Sequence, residues 1–89
     1  MHGASMPLFF FNLRRQERHE IDHEGIAFDT LEDAREDAVN SLREIVADEL
    51  RAGRSVDLTA IEIADNRGEI VAVVTIEEAV LKPLSEGAA

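Results

Sequence analysis

The sequence predicts an α+β domain in the order β-β-α-β-β, an antiparallel sheet with one long helix packed on one face. Three observations carry that prediction. Residues 30–53 form a single capped, acidic, amphipathic stretch; the segments around it are rich in aromatic and β-branched residues; and Asp65-Asn66-Arg67-Gly68 places a turn between two of those segments.

Local chemistry marks both ends of the helix. The Thr30 hydroxyl is placed to accept from the backbone of Asp33, and Thr30-Leu31-Glu32-Asp33 is a variant of the capping box. Apolar or small residues recur at Leu31, Ala34, Ala38, Leu42, Ile45, Val46 and Leu50, the spacing that gathers side chains on one face of a 3.6-residue period. Gly53, after Arg51 and Ala52, predicts a left-handed cap with cationic charge near the negative end of the helix dipole.

The first strand is Leu8 to Leu13, which holds three of the four phenylalanines and is apolar on both faces. Arg14 to His19 has no apolar residue and reads as a solvated turn. A second strand, bent or broken at Gly25, runs from Glu20 to Phe28. Beyond the helix, Val56 to Ala64 alternates, with Thr59, Ile61 and Ile63 on one face and Leu58, Ala60, Glu62 and Ala64 on the other. The Asp65–Gly68 turn leads into Glu69 to Ile76, where β-branched residues dominate. Glu77 to Leu81 adds a short helical turn that Lys82-Pro83 should end. Residues 6–81 are therefore expected to form one domain, with 1–5 a disordered leader or cloning remnant and 82–89 a flexible tail.

A chain of 89 residues buries only about 60–65% of the surface its unfolded form exposes, so the core is thin. There is no cysteine, hence no disulfide, thiolate metal site or cysteine nucleophile. Nineteen Asp and Glu against nine Lys and Arg give a net charge of −10, which opposes nucleic acid and anionic membrane and favours a basic partner. No apolar run is long enough to span a bilayer, and the expected location is cytoplasmic.

Candidate functional residues fall into three groups. One helix covers one side of a sheet, so Phe10, Leu58, Ala60, Val71 and Val73 are left for the other side, and that face predicts self-association, as a dimer. Glu36, Glu44 and Asp48 belong to an acidic outer helix face, either a docking ridge for a basic protein or a solvated, solubilising surface. His19, Asp22, His23 and Glu24 have the donor chemistry for a divalent metal, but on an unbroken strand His19 and His23 would lie about 13 Å apart; these read as surface residues, with a metal or small-ligand role as the alternative. No phosphate loop, metal-site helix or nucleophile elbow is present, so neither catalysis nor a cofactor is expected.

Met6-Pro7-Leu8-Phe9-Phe10-Phe11, then Asp22-His23-Glu24-Gly25, Leu31-Glu32-Asp33-Ala34-Arg35 and Ile63-Ala64-Asp65-Asn66-Arg67-Gly68 resemble a family of small bacterial proteins of unknown function over about residues 6–76. That resemblance implies a compact bacterial domain and no assigned activity. More loosely, Gly25 through Ala34 resembles the N-terminal domain of HicB-type antitoxins, which implies a small interaction module that binds a basic protein.

Overall fold

The computed structural model describes residues 6–86; the expectations for residues 1–5 and 87–89 lie outside it. Its long helix, α1 (Leu31–Arg51), begins at Thr30, whose extended backbone and side-chain oxygen, accepting from the Asp33 N–H at 3.0 Å, make the expected cap. At the other end Gly53 has φ +73°, its N–H donates to Leu50 O at 3.1 Å, and the Arg54 N–H donates to Glu49 O at 2.9 Å. These two bonds close the helix as a Schellman motif.

Ala34, Ala38, Leu42 and Val46 form the buried stripe, with Val39 and Ile45 half-buried beside it. Leu31 and Leu50, expected on the same face, are exposed, Leu50 at 65%. Each step of four residues turns an α-helix by about 40°, so the stripe has rotated past the sheet by the time it reaches Leu50.

Five antiparallel strands form the sheet: β1 (Leu8–Arg15), β2 (His19–Glu20), β3 (Ile26–Ala27), β4 (Leu58–Ala64) and β5 (Ile70–Thr75). The order is β2-β1-β4-β5, with β3 also against β1, so β2 and β3 share the outer edge of β1. The expected break at Gly25 is present, and it reduces the second strand to two bridges of two residues. Phe9, Phe11 and Leu13 face the helix along with Ile61, Ile63 and Val74, and the ring of Phe28, just beyond β3, packs 6.2 Å from Phe9 and 5.9 Å from Phe11.

Three expectations change. Arg14 and Arg15 extend β1 instead of forming the turn, which is confined to Gln16–Arg18 and closed by Arg15 N–H to Arg18 O at 2.8 Å. Leu58 is 2% exposed and belongs to the helix-side core. Arg14 pairs with Ala60 and Arg15 with Leu58, so Thr59 is an extra residue whose Oγ1 donates to Arg14 O at 2.9 Å. A bulge of this kind reverses the alternation, which is why Leu58 and Ala60 are on opposite faces. Thirdly, helical backbone does not end at Lys82-Pro83: a π-helical turn (Glu77–Leu81) runs into α2 (Lys82–Glu86).

Pro83 has no N–H for the carbonyl of Ala79 four residues earlier, and that carbonyl instead accepts from Arg43 Nε of α1 at 2.7 Å. With Ala79 buried, Arg43 pins the C-terminal segment to the helix. Arg43→Met is expected to speed amide hydrogen exchange in residues 77–86 about tenfold or more, as loss of a charged hydrogen bond implies, while leaving β4 protected. Unchanged exchange would show that apolar packing alone holds the segment.

Candidate functional site

Arg15 makes more ion pairs than any other side chain among the described residues. At 10% side-chain exposure, its Nε meets Glu20 at 2.7 Å, and its Nη1 meets Asp57 at 2.8 Å and Glu49 at 3.1 Å. One guanidinium thus joins β2, the connection before β4 and the last turns of α1, a task suited to its forked donors. The Asp57 hydrogen bond leads in raising the Arg15 pKa further, against burial. Hydrogen bonds from Arg18 and Arg15 hold Glu20 below the usual carboxylate range, and Arg15 does the same for Asp57. Glu49 Oε1 is buried without a partner, so this carboxylate depends on Arg15 through its other oxygen.

A second cluster organises the loop between β2 and β3. The Asp22 N–H donates to Asn12 Oδ1 at 3.0 Å, and the Asp22 carboxylate accepts from the N–H groups of Phe11 at 3.1 Å, Glu24 at 3.0 Å and Gly25 at 3.3 Å. Burial alone would raise the Asp22 pKa; the three donors outweigh it and lower it. Gly25 has φ +75°, and a Cβ there would lie 2.8 Å from Cε2 of Phe10, so this glycine is required both by the backbone and by the ring against it.

The third region is the sheet face turned away from α1. Cross-strand rows on it read Phe10, Ala64, Ile70, then Asn12, Glu62, Val73, then Arg14, Ala60, Thr75. Val71 is the extra residue of a second bulge, because Ile63 pairs with Ala72 and Ala64 with Ile70. Arg14 ion-pairs with Glu62 across this face. The apolar residues therefore do not cover it evenly: Ala60 and Ala64 are buried between their neighbours, Phe10 is half-buried, and Leu8, Ile70, Val71 and Val73 are exposed.

Among the remaining expected site residues, Glu36, Glu44 and Asp48 are exposed on the outer side of α1, with Asp48 paired to Arg51 at 2.8 Å. His19 is paired opposite Arg14, whose Nε donates to His19 Nε2 at 3.1 Å, while His23 and Glu24 are exposed in the loop. Among the described residues no three His, Asp or Glu side chains assemble into a metal site. The structure adds Asn12 and Arg15 to the site residues. Asn12 showed only as a polar residue in an otherwise apolar strand, and Arg15 only as part of a basic run.

Groups whose folded pKa is depressed add stability that is present above the unfolded value and lost as pH falls through the folded one. With Glu20, Asp22 and Asp57 all depressed, the urea midpoint is expected to hold at neutral pH and fall steeply below about pH 4. Arg15→Met should cost about 2 kcal/mol at pH 7, below the range for breaking a fully buried pair because Glu20 and Asp57 reach solvent, and should flatten the acid limb. Urea denaturation of both proteins at several pH values checks both statements.

The comparisons with known proteins fit this picture at the level of the fold unit. The family model described as a domain of unknown function, DUF6894, matches residues 8–77. No curated protein and no solved structure matches the chain. The matched residues contain all five strands, the long helix, the Asp22–Gly25 loop and the Asp65–Gly68 hairpin, and the chain belongs to the DUF6894 family, a domain of unknown function.

Proposed function

We propose that this domain is a non-catalytic interaction module of the bacterial cytoplasm that self-associates through the open face of its sheet. One observation carries the reading: Val71 and Val73, 39% and 41% exposed, join Leu8 and Ile70 on a face that α1 does not cover. Soluble chains seldom leave such a patch in water.

Charge favours a second copy as the occupant. Copies with a net charge of −10 repel one another. The open face is where that repulsion is weakest, because its central charges, Arg14 and Glu62, neutralise each other, while Glu32, Glu36 and Glu44 project from the helix on the far side. Sheet-to-sheet packing buries the apolar rows and keeps the acidic helices outermost. A face four strands wide at about 4.8 Å per strand offers roughly 400–500 Å² of plane, which suits a weak, concentration-dependent dimer.

A second reading concerns the acidic helix. Arg35 and Arg43, which share the helix surface with the acids, are directed to the C-terminal segment: Arg35 ion-pairs with Glu78, and Arg43 holds Ala79 O. Glu32, Glu36 and Glu44 form no ion pair with any described residue. That ridge suits a basic protein, in keeping with the antitoxin likeness of the residues leading into the helix.

Sedimentation or light scattering across a concentration range is expected to show a monomer–dimer equilibrium, and Val73→Lys to shift it at least tenfold toward monomer. The lysine lowers the overall repulsion between copies, so dissociation would report lost apolar contact. A wild-type chain that stays monomeric at every concentration would overturn self-association. For the second reading, a complex with a basic partner should weaken steeply between low and physiological salt, because exposed charges are screened beyond about 8–10 Å; salt-independent binding would exclude the ridge.

A further inference from the structure

A groove of about 400 Å³ lies at one end of the open face, between the Asp22–Gly25 loop and the Asp65–Gly68 hairpin. Phe10, Ile21 and Ala64 supply its apolar walls, and Asn12 lies among them. At 9% exposure Asn12 is the most buried polar residue of the described chain. The orientation of its amide is fixed, because the Asp22 N–H can only donate and so must meet Oδ1. Nδ2 is therefore the free end, and it donates to no described protein group. Nδ2 is not sealed from solvent, so at the wall of the groove a ligand's acceptor can take the place of water on it.

The surrounding carboxylates define what that ligand is not. Asp22 accepts from three backbone N–H groups, and Asp65 Oδ1 accepts from the N–H groups of Arg67 and Glu69, each at 2.9 Å. Asp22 has both oxygens and Asp65 one oxygen held by backbone N–H groups, and no three His, Asp or Glu side chains among the described residues assemble into a metal site. An anion is opposed by the net charge of −10. An extended peptide would add itself to a strand edge, but at Phe11 the outer edge of β1 is already taken by the Asp22 carboxylate.

We infer that this groove is a binding site for a compact uncharged molecule with a carbonyl group, such as an amide or lactone, whose oxygen accepts from Asn12 Nδ2 and whose apolar part lies against Phe10, Ile21 and Ala64. The groove shares Phe10 and Ala64 with the face proposed for self-association, so a ligand and a second copy compete for it, and the titration is read at a protein concentration at which light scattering shows a monomer. About ten heavy atoms in an open groove imply a dissociation constant near the millimolar range.

The test is a nitrogen–proton NMR titration of the full chain with N-benzylacetamide, beside 3-phenylpropionate and benzylammonium as charged probes of similar size. Saturable shifts of the Asn12 side-chain amide and of the Phe10, Ala64 and Gly68 backbone signals are expected with the amide, and at least tenfold weaker binding with either ion. Ala64→Leu and, at the exposed wall, Ile21→Trp each fill the groove without touching the Asn12–Asp22 bond, and each should abolish the Asn12 shift while the rest of the spectrum stays dispersed. No saturable shift at Asn12, equal binding of an ion, or undiminished shifts in a folded blocked variant would overturn the proposal.

Discussion

Between β2 and β3 the outer edge of β1 has no strand beside it, and the Phe11 N–H that points outward there is met by the carboxylate of Asp22. That side chain takes the place of a strand residue. The same carboxylate gathers the Glu24 and Gly25 N–H groups, and the Asp22 backbone donates in return to Asn12, so loop and strand are joined in both directions. An unmet backbone donor at a half-buried position costs as much as a lost hydrogen bond, and each of these contacts removes one such cost. Phe10 then rests on Gly25, which carries the order of the loop onto the open sheet face.

The molecule is electrostatically two-sided for a related reason. The C-terminal end of β1 carries two arginines that turn to different faces: Arg15 points to the helix side and collects Glu20, Glu49 and Asp57, while Arg14 points to the open side and meets Glu62. Arg35 and Arg43 turn from the helix surface toward β5 and the segment after it. With Arg35 and Arg43 turned away, Glu32, Glu36 and Glu44 of α1 have no ion-pair partner among the described residues. The open face, by contrast, is neutral and partly apolar. Unpaired acids gather on one layer and exposed apolar side chains on the other.

How much of this was legible follows from how local each cause is. Thr30, Gly53 and Asp65–Gly68 act on residues within a few positions, and the sequence placed all three correctly. Leu58 was assigned to the wrong face because its orientation depends on a bulge opposite Arg14, a residue over forty positions away that also gains Glu62 by staying in the strand. The hydrogen bond from Asp22 N–H to Asn12 Oδ1 spans ten residues and joins a loop to a strand, so no periodicity reveals it. Lys82-Pro83 signals a stop, yet the helix continues because Arg43 supplies the donor that proline lacks.

Two motifs that carry the family resemblance, Asp22-His23-Glu24-Gly25 and the hairpin from Ile63 to Gly68, have the look of ligand loops, being acidic and glycine-bearing. Two of their carboxylates are instead held by backbone N–H groups, Asp22 by three from β1 and its own loop and Asp65 by two from its hairpin. A carboxylate so engaged fixes a loop. What the two loops do is stand on either side of one groove with Asn12 at its base. Of the two acidic residues considered as metal ligands, Asp22 thus acts as scaffold while Glu24 stays exposed, and Asn12 brings the uncommitted end of a neutral amide to the groove.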